Sequence, residues 1–167
     1  MTNIENKLVE CKDSDIKCFN LDNRDFVAKI TNVYDADTCK VVFFLNDELV
    51  KFTLRLMGID TPEIRPKKTI ENRDNVILSA KRARNRLIQL ATNCEIDINL
   101  DVSKKKIQNI LDKNSKIIKI KCYSFDKYGR LLADIYVSDE SSKSIAVTDK
   151  LISEGHGYSY NGGTKKL

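Results

Sequence analysis

The chain has 167 residues, 41% of them hydrophobic and 32% charged, with 29 Lys plus Arg against 24 Asp plus Glu and a formal net charge of +5. That is one domain's length with enough apolar material for one core, which excludes a fibrous chain, wholesale disorder and a multidomain assembly. No apolar run approaches the roughly 18–20 residues of a membrane span, so no membrane partner is expected. The single histidine, His156, rules out catalysis built on several histidines. Cys11, Cys18, Cys39, Cys94 and Cys122 are odd in number and lack C-x-x-C spacing, which argues against a closed zinc site and against a disulfide framework. The start of the sequence has no basic segment leading into an apolar one, so no signal peptide is expected. The location expected is intracellular, in the cytoplasm or, for a viral chain, the cytoplasm or nucleus of a host cell.

In chain order, residues 1–24 are polar, mixed in charge and without a sustained period, and read as an N-terminal arm or tail. From Phe26 two β-rich runs surround a polar Asp35-Ala36-Asp37 centre. Asn46-Asp47-Glu48 is a turn cluster. Val50, Phe52, Leu54 and Leu56 then alternate with polar residues, the period of a half-buried strand. Gly58 and Pro62 end this antiparallel meander in a loop, and residues 64–74 form a charged linker. Ile77, Ala80, Ala83, Leu87 and Leu90 recur at helical steps, predicting an amphipathic helix over 75–92 whose outer residues Lys81, Arg82, Arg84 and Arg86 read as a solvated basic face. CEIDINL (94–100) reads as a further strand. Residues 101–116 read as an insertion, either a short helix or a flexible segment. Strands follow over 117–125 and 130–137 around an Asp126–Gly129 turn. The last helix is expected over 148–155, with Thr148 as its N-cap and Gly155 as its stop. His156, just past that helix, reads as structural. The whole is a β-rich α+β chain, and a five-stranded Greek-key OB-fold barrel with two or three attached helices, over residues 25–167, fits the order.

Three segments concentrate chemistry-bearing groups: Tyr34-Asp35-Ala36-Asp37-Thr38, Arg55 with Asp60-Thr61-Pro62-Glu63, and Asp126-Lys127-Tyr128-Gly129-Arg130. Asp37 and Asp60 are hard oxygen donors that suit Ca²⁺ or Mg²⁺. Arg55 and Arg130 are planar forks suited to phosphate. Glu63 is a carboxylate left to handle a water proton. Each segment alone reads more readily as an ordinary turn or loop. Together they are the components of a metal-assisted phosphodiesterase.

In order and spacing these motifs resemble the staphylococcal nuclease (thermonuclease-like) family. V-Y-D-A-D-T, R-L-M-G-I-D-T-P-E and D-K-Y-G-R are followed by the helix L-I-S-E-G and a Tyr-rich tail, so the likeness runs from about Phe26 to Asn161. The resemblance implies a Ca²⁺-dependent nuclease acting on DNA, RNA or both with low sequence specificity, leaving a 3′-phosphate and a 5′-hydroxyl, as a monomer. It implies Asp37, Asp60 and the Thr61 carbonyl as metal ligands, with Asp35 an acid behind them. It implies Glu63 as general base, Arg55 and Arg130 as phosphate clamps, and Lys127 and Tyr128 as contacts to a terminal phosphate. Tyr158 or Tyr160 would either stack on a nucleotide base or pack on the barrel. Ala36 departs from the family by standing where many members have glycine. A reading of a different class is a catalytically silent OB-fold module that binds single-stranded nucleic acid; the retained Asp37, Arg55, Asp60, Glu63 and Arg130 weigh against it.

Overall fold

The computed structural model describes residues 2–161; the GGTKKL end of the segment read as the domain lies outside the described residues. The strands are β1 (Asp25–Asp35), β2 (Thr38–Leu45), β3 (Glu48–Leu56), β4 (Ile59–Asp60), β5 (Ile118–Phe125), β6 (Leu131–Ser138), β7 (Ser144–Ala146) and β8 (Tyr158–Ser159). The helices are α1 (Asn3–Glu10), α2 (Arg73–Ala91), α3 (Lys104–Asn114) and α4 (Val147–Ser153). The main sheet runs β3-β2-β1-β5-β6-β7, and a parallel β3–β6 pairing closes its first five strands into a barrel. Closure removes the exposed edges of those five strands, and the result is the expected OB-fold.

Alternation builds the core. Ala28, Ile30 and Val33 of β1, Cys39, Val41 and Phe43 of β2, Leu54 and Leu56 of β3, Ile118, Ile120 and Cys122 of β5, and Leu131, Ala133 and Ile135 of β6 all point inward and are buried. Each fully buried Leu or Ile side chain contributes about 1.5–3 kcal/mol. Burial pushes the Cys39 thiol up to about 12, with Asp37 adding to the shift, so Cys39 serves as a small hydrophobe. The β2–β3 hairpin turns at Asn46 and Asp47, both at positive φ (50° and 66°), the mirror-image geometry that matches strand twist. Ala36 lies in the other two-residue turn, between β1 and β2. It is fully buried and is absent from the residues at positive φ, so this turn makes no demand that glycine alone could meet.

Three sequence expectations are corrected. Residues 94–100 form no strand; of their apolar residues only Ile96 is buried, while Leu100 is 53% exposed. Side chains of α2 take up that segment's carbonyls instead. Asn85 donates to Ile98 O at 3.2 Å and Leu100 O at 2.9 Å, and Gln89 donates to Ile96 O. For the same reason the basic face of α2 is not simply solvated. Arg84 is buried and donates to Val102 O at 3.2 Å, Lys81 pairs with Asp101 at 2.6 Å, and Arg86 grips Glu154 at 2.6 and 2.8 Å. Thr148 is not the cap of α4. The capping position is Ala146, and Thr148 Oγ1 donates to Met57 O at 3.1 Å, tying α4 to the loop after β3. The three helices attached to the barrel are α2, α3 and α4, and among the described residues a further helix, α1, forms in the N-terminal arm. The Thr2 hydroxyl caps α1, yet the helix buries no residue.

One open point is settled and one expectation is met. Residues 104–114 are helical, capped by Ser103, and bury the periodic Ile107, Ile110 and Leu111. Gly155, at φ +76°, ends α4. Its amide donates to Ile152 O at 3.0 Å and the His156 amide to Leu151 O at 2.9 Å, the paired closure that a left-handed glycine permits.

Candidate active site

The β1–β2 turn, the end of β3 and the short β4 converge at one rim of the barrel. Asp37 comes from the turn, Arg55 from β3 opposite Thr38, and Asp60 from β4. All three are at most 9% exposed. Arg55 lies between the two carboxylates: its Nη2 donates to Asp60 Oδ1 at 2.9 Å, and its Nη1 is 2.7 Å from Asp37 Oδ2 without an aligned hydrogen bond. Asp37 also accepts from the Thr38 hydroxyl at 2.8 Å and from the Thr61 amide at 3.2 Å. One guanidinium thus balances two buried anions, which unpaired would be costly to desolvate.

Asp35 ends β1, two residues before Asp37. Its Oδ1 accepts the Ile64 amide at 3.1 Å, so it anchors the loop that carries Thr61 and Glu63. Glu63 itself is exposed on that loop.

The second arginine sits differently. Arg130 immediately precedes β6, whose Leu132 pairs with Arg55. The two arginines therefore lie on adjacent strands, two register steps or about 7 Å apart along the strand. Arg130 Nε donates to Asp126 Oδ2 at 2.6 Å, and Asp126 Oδ1 accepts the Tyr128 and Arg130 amides at 2.8 and 2.9 Å. Burial pushes the Asp126 carboxyl up, but the two amides and the guanidinium outweigh it and hold the group below the ordinary carboxylate range. Gly129 takes φ +76° to close this turn. Tyr128 is 73% exposed, with the Lys127 ammonium 5.1 Å and the Arg130 guanidinium 5.5 Å from its ring centre.

Tyr158 and Gly157 carry a feature that sequence reasoning missed. β8 pairs with β4, Tyr158 opposite Asp60, and the Tyr158 hydroxyl donates to Asp60 Oδ2 at 2.7 Å. The residue read as a base-stacking ring or barrel packing is thus a hydrogen-bond donor to a site carboxylate. Gly157 permits the approach by its size: a Cβ there would lie 2.8 Å from Asp60 O and from Ile59 Cδ1. Tyr160 contributes its amide, which donates to Gly58 O at 3.0 Å. The G-Y-S-Y alternation was the available signal that a short strand follows α4.

The donor set suits a hard cation. Two carboxylates converge with no nitrogen or sulfur donor, and the buried Thr61 hydroxyl beside them has no hydrogen-bond partner. Among the described residues no three His, Cys, Asp or Glu side chains gather as a metal-binding group, so a cation here would complete its shell with other oxygens. Asp37, Asp60 and Thr61 are the residues able to hold it.

A family model described as staphylococcal nuclease homologue matches residues 53–166, a span that takes in Arg55, Asp60, Thr61, Glu63, the 126–130 turn and Tyr158, and begins after Asp35 and Asp37. No curated protein matches the chain. No helix among the described residues is long and apolar enough to cross a membrane.

Proposed function

The chain belongs to the staphylococcal nuclease homologue family, in which function is of nuclease or nucleic-acid-binding type, and on that premise we propose that it is a Ca²⁺-dependent nuclease cleaving DNA, RNA or both with low sequence specificity. The observation that carries this reading is the placement of Arg55 between Asp37 and Asp60, two buried hard-oxygen donors beside a phosphate-binding fork. Asp37, Asp60 and the Thr61 carbonyl would hold the cation. When bound, Ca²⁺ supplies Lewis-acid polarisation of a phosphate oxygen and a site for the attacking water. Arg55 and Arg130 grip the phosphate oxygens as negative charge grows, a stabilisation that is strongest where water is excluded. Glu63 orients or deprotonates the water, a role worth roughly 10²–10⁴-fold. Lys127 and Tyr128 take a terminal phosphate, and the family pattern implies 3′-phosphate and 5′-hydroxyl products. Recognition falls on the backbone, since no element among the described residues offers a reading head for base edges, and the protein acts as a monomer inside the cell.

The test is release of acid-soluble nucleotides from heat-denatured DNA and from RNA, in Ca²⁺, in Mg²⁺ and in EGTA. Calcium-dependent cleavage that falls at least 100-fold in both Glu63→Gln and Arg130→Ala, with circular dichroism unchanged, is the expected result. Absence of cleavage by the folded wild-type chain in Ca²⁺ overturns it and leaves the nucleic-acid-binding module.

A further inference from the structure

Each oxygen of the two rim carboxylates has a protein donor, and the donors differ in charge. Asp37 Oδ1 takes the Thr38 hydroxyl, while its Oδ2 lies against the Arg55 guanidinium and the Thr61 amide. Asp60 Oδ1 takes Arg55 Nη2 at 2.9 Å, and Asp60 Oδ2 takes the Tyr158 hydroxyl at 2.7 Å. A carboxylate oxygen offers two lone pairs, so one that accepts a hydrogen bond can still bind a cation. A dication is repelled beside a guanidinium and not beside a neutral phenol. Of the two Asp60 oxygens, Oδ2 is therefore the one suited to share a cation. The terminal torsion of an aspartate is broad, so the direction of Oδ2 depends on what holds it. Asp60 is 2% exposed, which leaves bulk water little room to replace the hydroxyl. Tyr158 holds it from a fixed base. It stands opposite Asp60 in the β4–β8 ladder, the Tyr160 amide donates to Gly58 O at 3.0 Å, and Gly157 has no Cβ to push β8 away from Asp60 O and Ile59.

We propose that Tyr158 is a positioning residue for the cation: its hydroxyl sets Asp60 Oδ2 for a hard dication, and β8 is the strut that delivers it. The part of the side chain that matters is the phenolic oxygen and not the ring face that base stacking would use. Partners that orient a metal ligand from behind typically govern affinity by about 10–100-fold. Binding free energies couple reciprocally, so the cation tightens the seating of β8 by the same factor. Residues 157–160, which follow the last helix and lie about a hundred positions beyond Asp60 in the sequence, thereby belong to the cation site without supplying a ligand to it. The inference rests on the cation-binding part of the proposed function and not on hydrolysis.

The experiment is a calorimetric Ca²⁺ titration of the full chain, without nucleic acid and well below the melting temperature. Tyr158→Phe keeps the ring and the strand and removes only the hydroxyl; it is expected to weaken Ca²⁺ binding about 10–100-fold. Ile135→Val, which trims a buried barrel residue on β6, lowers stability without touching the rim and is expected to bind Ca²⁺ within 2-fold of wild type. A second measurement needs no variant. Hydrogen exchange of the Tyr160 amide in the wild-type chain is expected to slow about 10–100-fold in saturating Ca²⁺, while that of the Ser142 amide, bonded to Asp139 O in the turn before β7, stays unchanged. It decides the matter if Tyr158→Phe does not fold. Equal or tighter Ca²⁺ binding by folded Tyr158→Phe, or a Tyr160 amide indifferent to Ca²⁺, overturns the positioning role and leaves the cation site standing. A wild-type chain that takes up no Ca²⁺ overturns the cation site and the positioning role together.

Discussion

Arg55 and Arg130 each face a carboxylate on neighbouring strands, yet their surroundings differ. The Arg55 side chain is 11% exposed against partners at 9% and 3%, whereas Arg130 is 30% exposed against Asp126 at 14%. Arg55 is the counter-charge for two sunken anions, and removing it leaves them uncompensated unless a cation takes its place. Arg130 is held by one aspartate in a turn whose other bonds are backbone amides, so removing it strands far less buried charge. The same residue type is thus part of the barrel's electrostatic foundation in one place and a partly exposed brace of a turn in the other.

The sharpest way to break this contrast is Arg55→Ala, which is expected to cost about 3–5 kcal/mol because it strands buried charge; urea unfolding at neutral pH measures it, and a loss below 1 kcal/mol would show the pair to be expendable. Tyr158→Phe removes one hydrogen bond to a carboxylate, about 1.5–3 kcal/mol, and should show the same unfolding slope with an earlier midpoint. Gly157→Ala forces a Cβ against Asp60 O and Ile59 and should cost about 1–3 kcal/mol through overpacking; equal stability in thermal melts would mean that β8 gives way freely. Arg130→Ala, by contrast, should leave stability within about 1 kcal/mol, even where it abolishes cleavage. The last effect is read in pH and lies outside the Asp37–Arg55–Asp60 group. The Arg86 guanidinium bonded to Glu154, aided by Lys150, holds that carboxyl at about 2, below its ordinary 4.5. A depressed carboxylate stabilises the fold above its unfolded value and loses that contribution as pH falls through its folded one. Glu154→Gln should therefore flatten the stability profile between about pH 4.5 and pH 2, read by acid titration of the circular dichroism signal.

The barrel was legible because strand alternation is a local signal: Val41, Phe43, Leu54 and Leu56 announce their inward faces residue by residue. CEIDINL carried the same alternation and misled, since a strand also needs a partner edge, and here Asn85 and Gln89 had already claimed its carbonyls from a helix. Site residues with fixed spacing, such as Asp60-Thr61-Pro62-Glu63 and the 126–130 turn, could be singled out from the sequence. That Arg55 bridges Asp37 and Asp60 could not, because it depends on where a turn and two strands meet. Nor could the hydroxyl of Tyr158: a ring that ends in an oxygen reads equally as a stacking surface or a donor until its neighbour across β4 is known.

The Tyr158–Asp60 bond joins residues 98 positions apart, and this separation sets an order of assembly. During synthesis the ribosome delivers Asp37, Arg55 and Asp60 long before β6 arrives to close the barrel, and β8 comes later still. A nascent chain can complete every barrel strand while Asp60 still awaits its tyrosine, so the rim reaches its final form only after the last of β8 has cleared the exit tunnel.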